Sequence, residues 1–257
     1  MNNTLRNGLR VLEHLAGTTE SFAVSGLAEA LDLPKSHVHR LLQGLVEDGW
    51  AVQDGDRRYR IGLKPLELSS ALLTHLPLRR AALPALRRLC AQTGYDVVLA
   101  HLHDGAALVI AEEYVLDRQH DPGSAVGRRL NLHASACGKL LAGYLPEEQQ
   151  LALLAKAPFP ALTPATATTA DAVRGQWTRA RLEHVAVNRE ENGAGVCSIA
   201  VAVRDREQRV LAGLGLALPA ARWSDEHGRE LATLLHAAAD TIRIPSQSQS
   251  TASGDQP

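Results

Sequence analysis

A chain of 257 residues, 45 % of them hydrophobic, can build two ordinary domains with real cores, yet it has no apolar run near the roughly 20 residues of a membrane span. The net charge of −1 excludes a general polycation, so a nucleic-acid partner has to be argued from local charge. Three widely spaced cysteines, Cys90, Cys137 and Cys197, exclude a disulfide framework.

The opening MNNTLRNGLRVLEHL carries Leu5, Leu9, Leu12 and Leu15 at helical spacing. It lacks the unbroken apolar stretch and small-residue cleavage site of a signal peptide, so a cytoplasmic protein is expected. Gly17 stops this helix. Val24, Leu27, Ala28 and Leu31 predict a second short helix, with Ser25 as its N-cap. Asp32-Leu33-Pro34 breaks it, and a third helix opens at Pro34 or Lys35 with Val38, Leu41, Leu42 and Leu45 on one face. After Gly49, two short strands, Trp50 to Gln53 and Tyr59 to Ile61, flank the hairpin signal Asp54-Gly55-Asp56.

From Pro65 the pattern turns helical again up to Pro77, and a further helix runs from about Leu78 to Thr93, closed by Gly94. Strands follow at Tyr95 to Leu102 and Ala107 to Glu112. Helices are predicted near Ala134, after Pro146 and from Ala170 to His184, with a Pro/Ala/Thr loop from Pro158 to Thr169. Two apolar strands, Ser198 to Val203 and Val210 to Leu218, precede a last helix capped by Ser224 and reaching about Ile242. The Ser/Gln-rich residues 245–257 read as a disordered tail.

Three helices and a hairpin are the order of a winged helix-turn-helix, whose recognition helix enters the major groove. Opposite its apolar stripe the third helix carries Ser36, Arg40 and Gln43, with Lys35, His37 and His39 on the flanks. Arginine can grip guanine and glutamine can read adenine, while Lys35 and Ser36 near the helix start suit phosphate. From Lys35 to Gln43 there are two cations and no acid, and Arg57, Arg58 and Arg60 make the hairpin basic. An ordinary amphipathic helix shows the same periodicity. The order of elements and the basic hairpin favour DNA.

The segment 133–139 enters a helix through Ala134, Ser135, Ala136, Cys137 and Gly138. Such residues either leave backbone N–H groups open to an anion or serve close packing against a sheet. His101 and His103 share a strand face, but two ligands do not make a zinc site and no metal is expected. His133 and Cys137 imitate a nucleophile pair without a third orienting group, so no catalytic residue and no cofactor is assigned.

Three stretches carry a resemblance. Leu33-Pro34-Lys35-Ser36-His37-Val38-His39-Arg40-Leu41-Leu42, Leu132-His133-Ala134-Ser135-Ala136-Cys137-Gly138-Lys139-Leu140-Leu141-Ala142, and Glu190-Glu191 followed by Gly195, Ser198-Ile199-Ala200 and Val203-Arg204-Asp205 together resemble the IclR family of bacterial regulators over about Leu5 to Ile242. His37 stands for the family's usual threonine, Asn188 for an acidic residue, Ser198 for a cysteine (Cys197 lies one place earlier), Ala202 for a proline and Arg204 for an aromatic. The resemblance implies an α+β protein: a winged helix-turn-helix over 1–64, a linker helix over 65–78 and a GAF-like effector-binding domain over 79–244. It implies a homodimer or dimer of dimers, a repressor on a palindromic double-stranded operator, and control by a small organic acid.

Matched by position, the resemblance puts Ser135, Ala136, Cys137, Asn188, Ser198, Gly215 and Ala217 around the effector. Asn188 and Ser198 read equally as a turn cap and a core hydroxyl. Relatives that bind small oxo-acids tend to carry serines where Gly215 and Ala217 stand, so a roomier, less polar pocket for an apolar or aromatic acid is expected. The rival expectation is a small-molecule binding protein or enzyme with a non-functional helix-turn-helix.

Overall fold

The computed structural model describes residues 3–115 and 125–243, and the chain divides between His75 and Leu76 into two units. The tail expected at 245–257 lies outside the described residues.

The first unit runs α1 (Asn3–Ala16), α2 (Val24–Leu31), α3 (Lys35–Glu47), β1 (Ala51–Gln53), β2 (Tyr59–Ile61) and α4 (Lys64–His75). The helical repeats converge on one small core of Val11, Leu15, Leu27, Leu31, Val38 and Leu42, closed by Ala51 and Tyr59 of the hairpin. Burying a valine or leucine side chain is worth about 1.5–3 kcal/mol, so six such residues hold three short helices that would not persist alone. The strands pair antiparallel as Ala51 with Ile61, Val52 with Arg60 and Gln53 with Tyr59. Phe22 extends the hairpin by exchanging both backbone hydrogen bonds with Tyr59, each 2.8 Å. The expected Ser25 cap is corrected: α2 begins at Val24, its N-cap is Ala23 with no side-chain bond, and Ser25 sits inside the first turn. Asp32 ends α2 in the left-handed region, and Pro34 starts α3.

The second unit runs α5 (Pro77–Thr93), β3 (Asp96–His103), β4 (Ala106–Glu113), β5 (Arg129–Leu130), α6 (Ala136–Gly143), α7 (Glu147–Leu154), α8 (Ala170–Glu183), β6 (Val185–Arg189), β7 (Val196–Arg204), β8 (Val210–Pro219) and α9 (Asp225–Thr241). One antiparallel sheet orders its strands β5-β4-β3-β8-β7-β6. Helices cover both faces, so the α+β expectation holds. Against α5 and α9 the sheet presents large residues, among them Val97, Leu99, Ile199, Val201, Leu214 and Leu216. Against α6 and α8 it presents Ala100, Ala186 and Ala200. The alternation of strand side chains produces this asymmetry. Its consequence is that α6 lies close to the sheet and leaves open space beyond its N-terminus.

Strands β5 and β6 are not apparent from sequence periodicity. The first is two residues long, and the second, VAVNR, ends in polar residues. The helix expected near Ala134 starts at Ala136, with Ser135 as its N-cap accepting from Gly138 N. The expected Ser224 cap is present, its Oγ accepting from His227 N at 3.0 Å. Among the described residues no helix is long and apolar enough to cross a membrane.

Candidate functional site

The polar face of α3 is open to solvent. Lys35, Ser36, His39, Arg40 and Gln43 are exposed or half-exposed, while Val38 and Leu42 anchor the helix in the core below. His37 meets partners on two sides: its Nε2 lies 3.3 Å from the Asn7 amide on α1 and its Nδ1 3.3 Å from an Arg40 guanidinium nitrogen. A side chain held from both sides is less free than the rest of the face. Asn7 was not singled out in the sequence, because nothing in the α1 repeat indicates which polar residue meets α3.

The hairpin tip is shaped by Asp54, whose Oδ1 accepts from Asp56 N at 3.1 Å and Arg58 N at 2.9 Å. The Arg58 backbone hydrogen bond is the first cause that holds the Asp54 carboxyl below its ordinary value. Arg57 and Arg60 are exposed; Arg58, exposed too, turns back to donate to Ser21 Oγ at 3.0 Å and to the Ser21 carbonyl. All three wing arginines therefore face solvent, and Arg58 in addition ties the hairpin to the chain before α2.

In the second unit a cavity of about 960 Å³ opens between the α6 N-terminus and the sheet. Its lining includes Ser135, Ala136, Cys137, Asn188, Ser198, Gly215 and Ala217. Strand register explains how residues so far apart meet. Asp96 pairs with Ala217, Ala217 with Ser198 and Ser198 with Asn188, so these four form one row across the sheet. Val98 and Gly215 stand in the neighbouring row, two residues along each strand.

Helix α6 supplies the other wall. Its third N–H, from Gly138, is taken by Ser135 Oγ at 3.0 Å, and the Ser135 hydroxyl donates to Asn131 O at 2.7 Å. The N–H groups of Ala136 and Cys137 precede any intrahelical acceptor. Gly138 is required by the approach of the chain: a Cβ there would stand 2.1 Å from Asn131 O.

Gly215 modifies the expectation of added room. A Cβ at 215 would lie 2.8 Å from Cys137 Sγ and 3.1 Å from Ile199 O, so the thiol fills the space a side chain would need. Room is gained at Ala217, which is half-buried. Burial pushes the Cys137 thiol up to about 12, which keeps it protonated and poor as a nucleophile.

Asn188 caps a turn as one of its readings expected, while Ser198 is half-buried and not a core hydroxyl. They line the cavity, yet Asn188 Nδ2 donates to Ser198 Oγ at 3.0 Å while its Oδ1 accepts from Glu191 N at 2.7 Å and Asn192 N at 3.1 Å. Asn188 thus shapes the turn that brings Asn192 and Gly193 to the cavity.

That turn is anchored from below. Lys139 Nζ donates to Glu191 Oε1 at 2.6 Å, with side chains only 4 % and 10 % exposed. Gln176 Nε2 donates to Glu191 Oε2 at 2.8 Å, so α6, α8 and the β6–β7 turn meet at one carboxylate. Burial lowers the Lys139 pKa, and the bond to Glu191 opposes that shift. Lys139 and Glu191 stand in the sequence motifs but are not apparent as partners, because their contact depends on the placement of β6.

Asp96, Tyr114, Arg128, Asn131 and Asn192 also line the cavity and were not foreseen. Asp96 Oδ1 accepts from Val115 N at 3.0 Å. Of the strand histidines, His101 gives Nδ1 to Leu211 O at 2.7 Å, a bond that ties the ring to the sheet.

Comparison with known proteins covers both units. Residues 4–55 match the family model described as the IclR helix-turn-helix domain, and residues 70–244 that described as bacterial transcriptional regulator IclR C-terminal. The chain is 30 % identical over 223 residues to the HTH-type transcriptional regulator XynR of Escherichia coli, spanning 86 % of this chain and 88 % of that one. It is 28 % identical over 246 residues to the transcriptional repressor IclR of the same organism, spanning 94 % and 89 %. Among solved structures, an IclR homologue from Microbacterium hydrocarbonoxydans complexed with 4-hydroxybenzoate superimposes with a TM-score of 0.78 at 26 % identity, covering 93 % of this chain and 97 % of that one.

Proposed function

The chain belongs to the IclR family of bacterial DNA-binding transcriptional regulators, and on that premise we propose that it represses its targets from a palindromic operator under control of an apolar or aromatic carboxylic acid. The observation that carries this reading is the cavity beside the α6 N-terminus, because it joins an anion-favouring end to a lining that mixes apolar and polar residues. The N–H groups of Ala136 and Cys137, at the open end of the helix, take the carboxylate. Val98 and Ala217 receive the hydrocarbon part, and Ser198 and Asn188 offer hydroxyl or amide contacts. The aromatic acid bound by the Microbacterium relative belongs to the same chemical class.

Lys35, Ser36, Arg40, Gln43 and His39 read DNA on the exposed face of α3, and Arg57 and Arg60 hold the backbone from the wing. Arg58 supports the wing through Ser21. The protein works as a homodimer or dimer of dimers. Exposed Leu5 and Leu9 on α1, and Leu66 and Leu72 on α4, favour cover by a second copy. Action on chromosomal DNA sets its place in the cytoplasm. Effector binding alters operator affinity only to the extent that the acid binds the two arrangements of the dimer differently.

A thermal-shift panel of carboxylic acids on the full chain tests the pocket. Aromatic acids are expected to raise the unfolding temperature, by about 2.7 kcal/mol of stabilisation at one hundred times Kd. Tighter binding of glyoxylate or pyruvate than of any aromatic acid would contradict the apolar preference.

A further inference from the structure

Position 37 of this chain carries a histidine between two polar partners, and the donor inventory decides how the three groups are arranged. A guanidinium can only donate, so the contact of 3.3 Å from Arg40 to His37 Nδ1 makes that nitrogen the acceptor. A neutral imidazole then carries its hydrogen on Nε2, which faces the Asn7 amide terminus at 3.3 Å. The Asn7 atom nearest Nε2 is Nδ2, itself a donor, so both contacts become hydrogen bonds only with the carboxamide turned by half a turn, its Oδ1 then accepting from Nε2.

The backbone on both sides is firm. Asn7 lies on α1 one turn before the buried Val11, and His37 directly precedes the buried Val38. Gly8 leaves α1 in near contact with α3: a Cβ there would lie 3.9 Å from Leu41 Cδ2. Arg40 is exposed and joins this framework only through its long side chain. A free arginine side chain on a helix samples many rotamers, and each must be given up when it grips a base.

We propose that Asn7 and His37 are positioning residues for DNA reading: Asn7 fixes the orientation of the His37 ring, and His37 holds the Arg40 guanidinium ready for a base edge. This rests on the reading of Arg40 as a base contact. Neither Asn7 nor the His37 ring need touch DNA for the effect, which acts on discrimination between bases and not on phosphate attraction. A threonine at 37 could not span from α1 to Arg40, so Arg40 would search more freely and read less sharply.

The test measures base preference at each operator position, and the salt dependence of binding, for the full-length chain and its variants. The variants are Asn7→Ala, His37→Thr, Arg40→Ala, and each of the first two combined with Arg40→Ala. Arg40→Ala is expected to flatten the preference at one base pair. Asn7→Ala and His37→Thr are expected to weaken preference at that same base pair by about three- to ten-fold, the range of one ordinary hydrogen bond. The salt slope stays that of the parent, and neither change has further effect in the Arg40→Ala background. Effects that add to those of Arg40→Ala would overturn the relay, as would a uniform loss on all sequences with a shallower salt slope. Should Arg40→Ala itself leave every preference intact, the base-reading assignment beneath the proposal fails, and the relay with it. Two independent variants, each checked for an unchanged unfolding temperature, keep a folding defect from imitating the result.

Discussion

Cys137 and Gly215 share one volume: a Cβ on Gly215 would stand 2.8 Å from the Cys137 sulfur. The pocket floor is therefore set by a pair of residues, one on α6 and one on β8. Gly215→Ser is expected to destabilise the effector domain by about 1–3 kcal/mol, the usual range for overpacking. Cys137→Ala in the same chain should recover most of that loss. Chemical denaturation of the single and double variants measures both, and equal stability of Gly215→Ser and the parent would mean that α6 yields easily. Ala217→Ser, at the open position, should be nearly neutral for folding.

The Lys139–Glu191 pair, 2.6 Å apart and almost out of water, makes a different demand. Removing one partner strands a buried charge, so Lys139→Met is expected to cost about 3–5 kcal/mol. Replacing both by apolar residues should return much of it. Because Glu191 anchors the turn carrying Asn192 and Gly193, single variants that still fold are expected to lose affinity for the effector. Unfolding curves with and without a saturating acid separate the two effects.

Alkaline titration offers a third check. Burial raises the Cys137 thiol to about 12, from an ordinary value of 9.0. Between those values the unfolded chain has released the proton and the native chain has kept it. The native state then binds more protons, and stability falls as pH rises. The contribution is whole below about pH 9 and is lost through the window up to about 12. Cys137→Ala should flatten this part of the stability profile. Iodoacetamide should leave the native thiol unmodified at about pH 8, below its raised pKa, and label it once urea unfolds the chain.

The wing arginines should separate by experiment. Arg60→Ala is expected to weaken binding on all sequences and to lower the salt slope by about 1, the signature of a lost phosphate contact. Arg58→Ala, which releases Ser21, should lower the unfolding temperature of the first unit instead. A salt slope reduced equally by both would assign Arg58 to the backbone as well.

Most of the architecture can be read from the chain because the helices are periodic and punctuated. Leu27, Ala28 and Leu31 define α2, Val38 and Leu42 define α3, and Gly94 closes α5 in the left-handed conformation that glycine favours. The strand β6 is harder to read: Val185, Ala186 and Val187 give way to Asn188 and Arg189, too short a run to stand out directly after a helix. Without β6 in register Asn188 cannot be placed beside Ser198, and without the β3–β8 pairing Asp96 cannot be placed beside Ala217. The same gap hides the partnership of Lys139 with Glu191. Packing against a neighbour also decides matters that spacing leaves open. Gly215 looks like empty space until Cys137 is found in it, and nothing in the spacing shows that Arg58 bonds Ser21.

Operator binding that answers to an acid is the centre of the account. Its most direct test is a fluorescence-anisotropy titration of the full-length protein against the intergenic DNA upstream of its own gene, at several salt concentrations, with and without 4-hydroxybenzoate and other aromatic acids. The account predicts sequence-specific binding that tightens as salt falls and an apparent affinity that changes when one of these acids is added. Binding no tighter than to unrelated DNA at low salt, or specific binding that no acid in the panel alters, would contradict it.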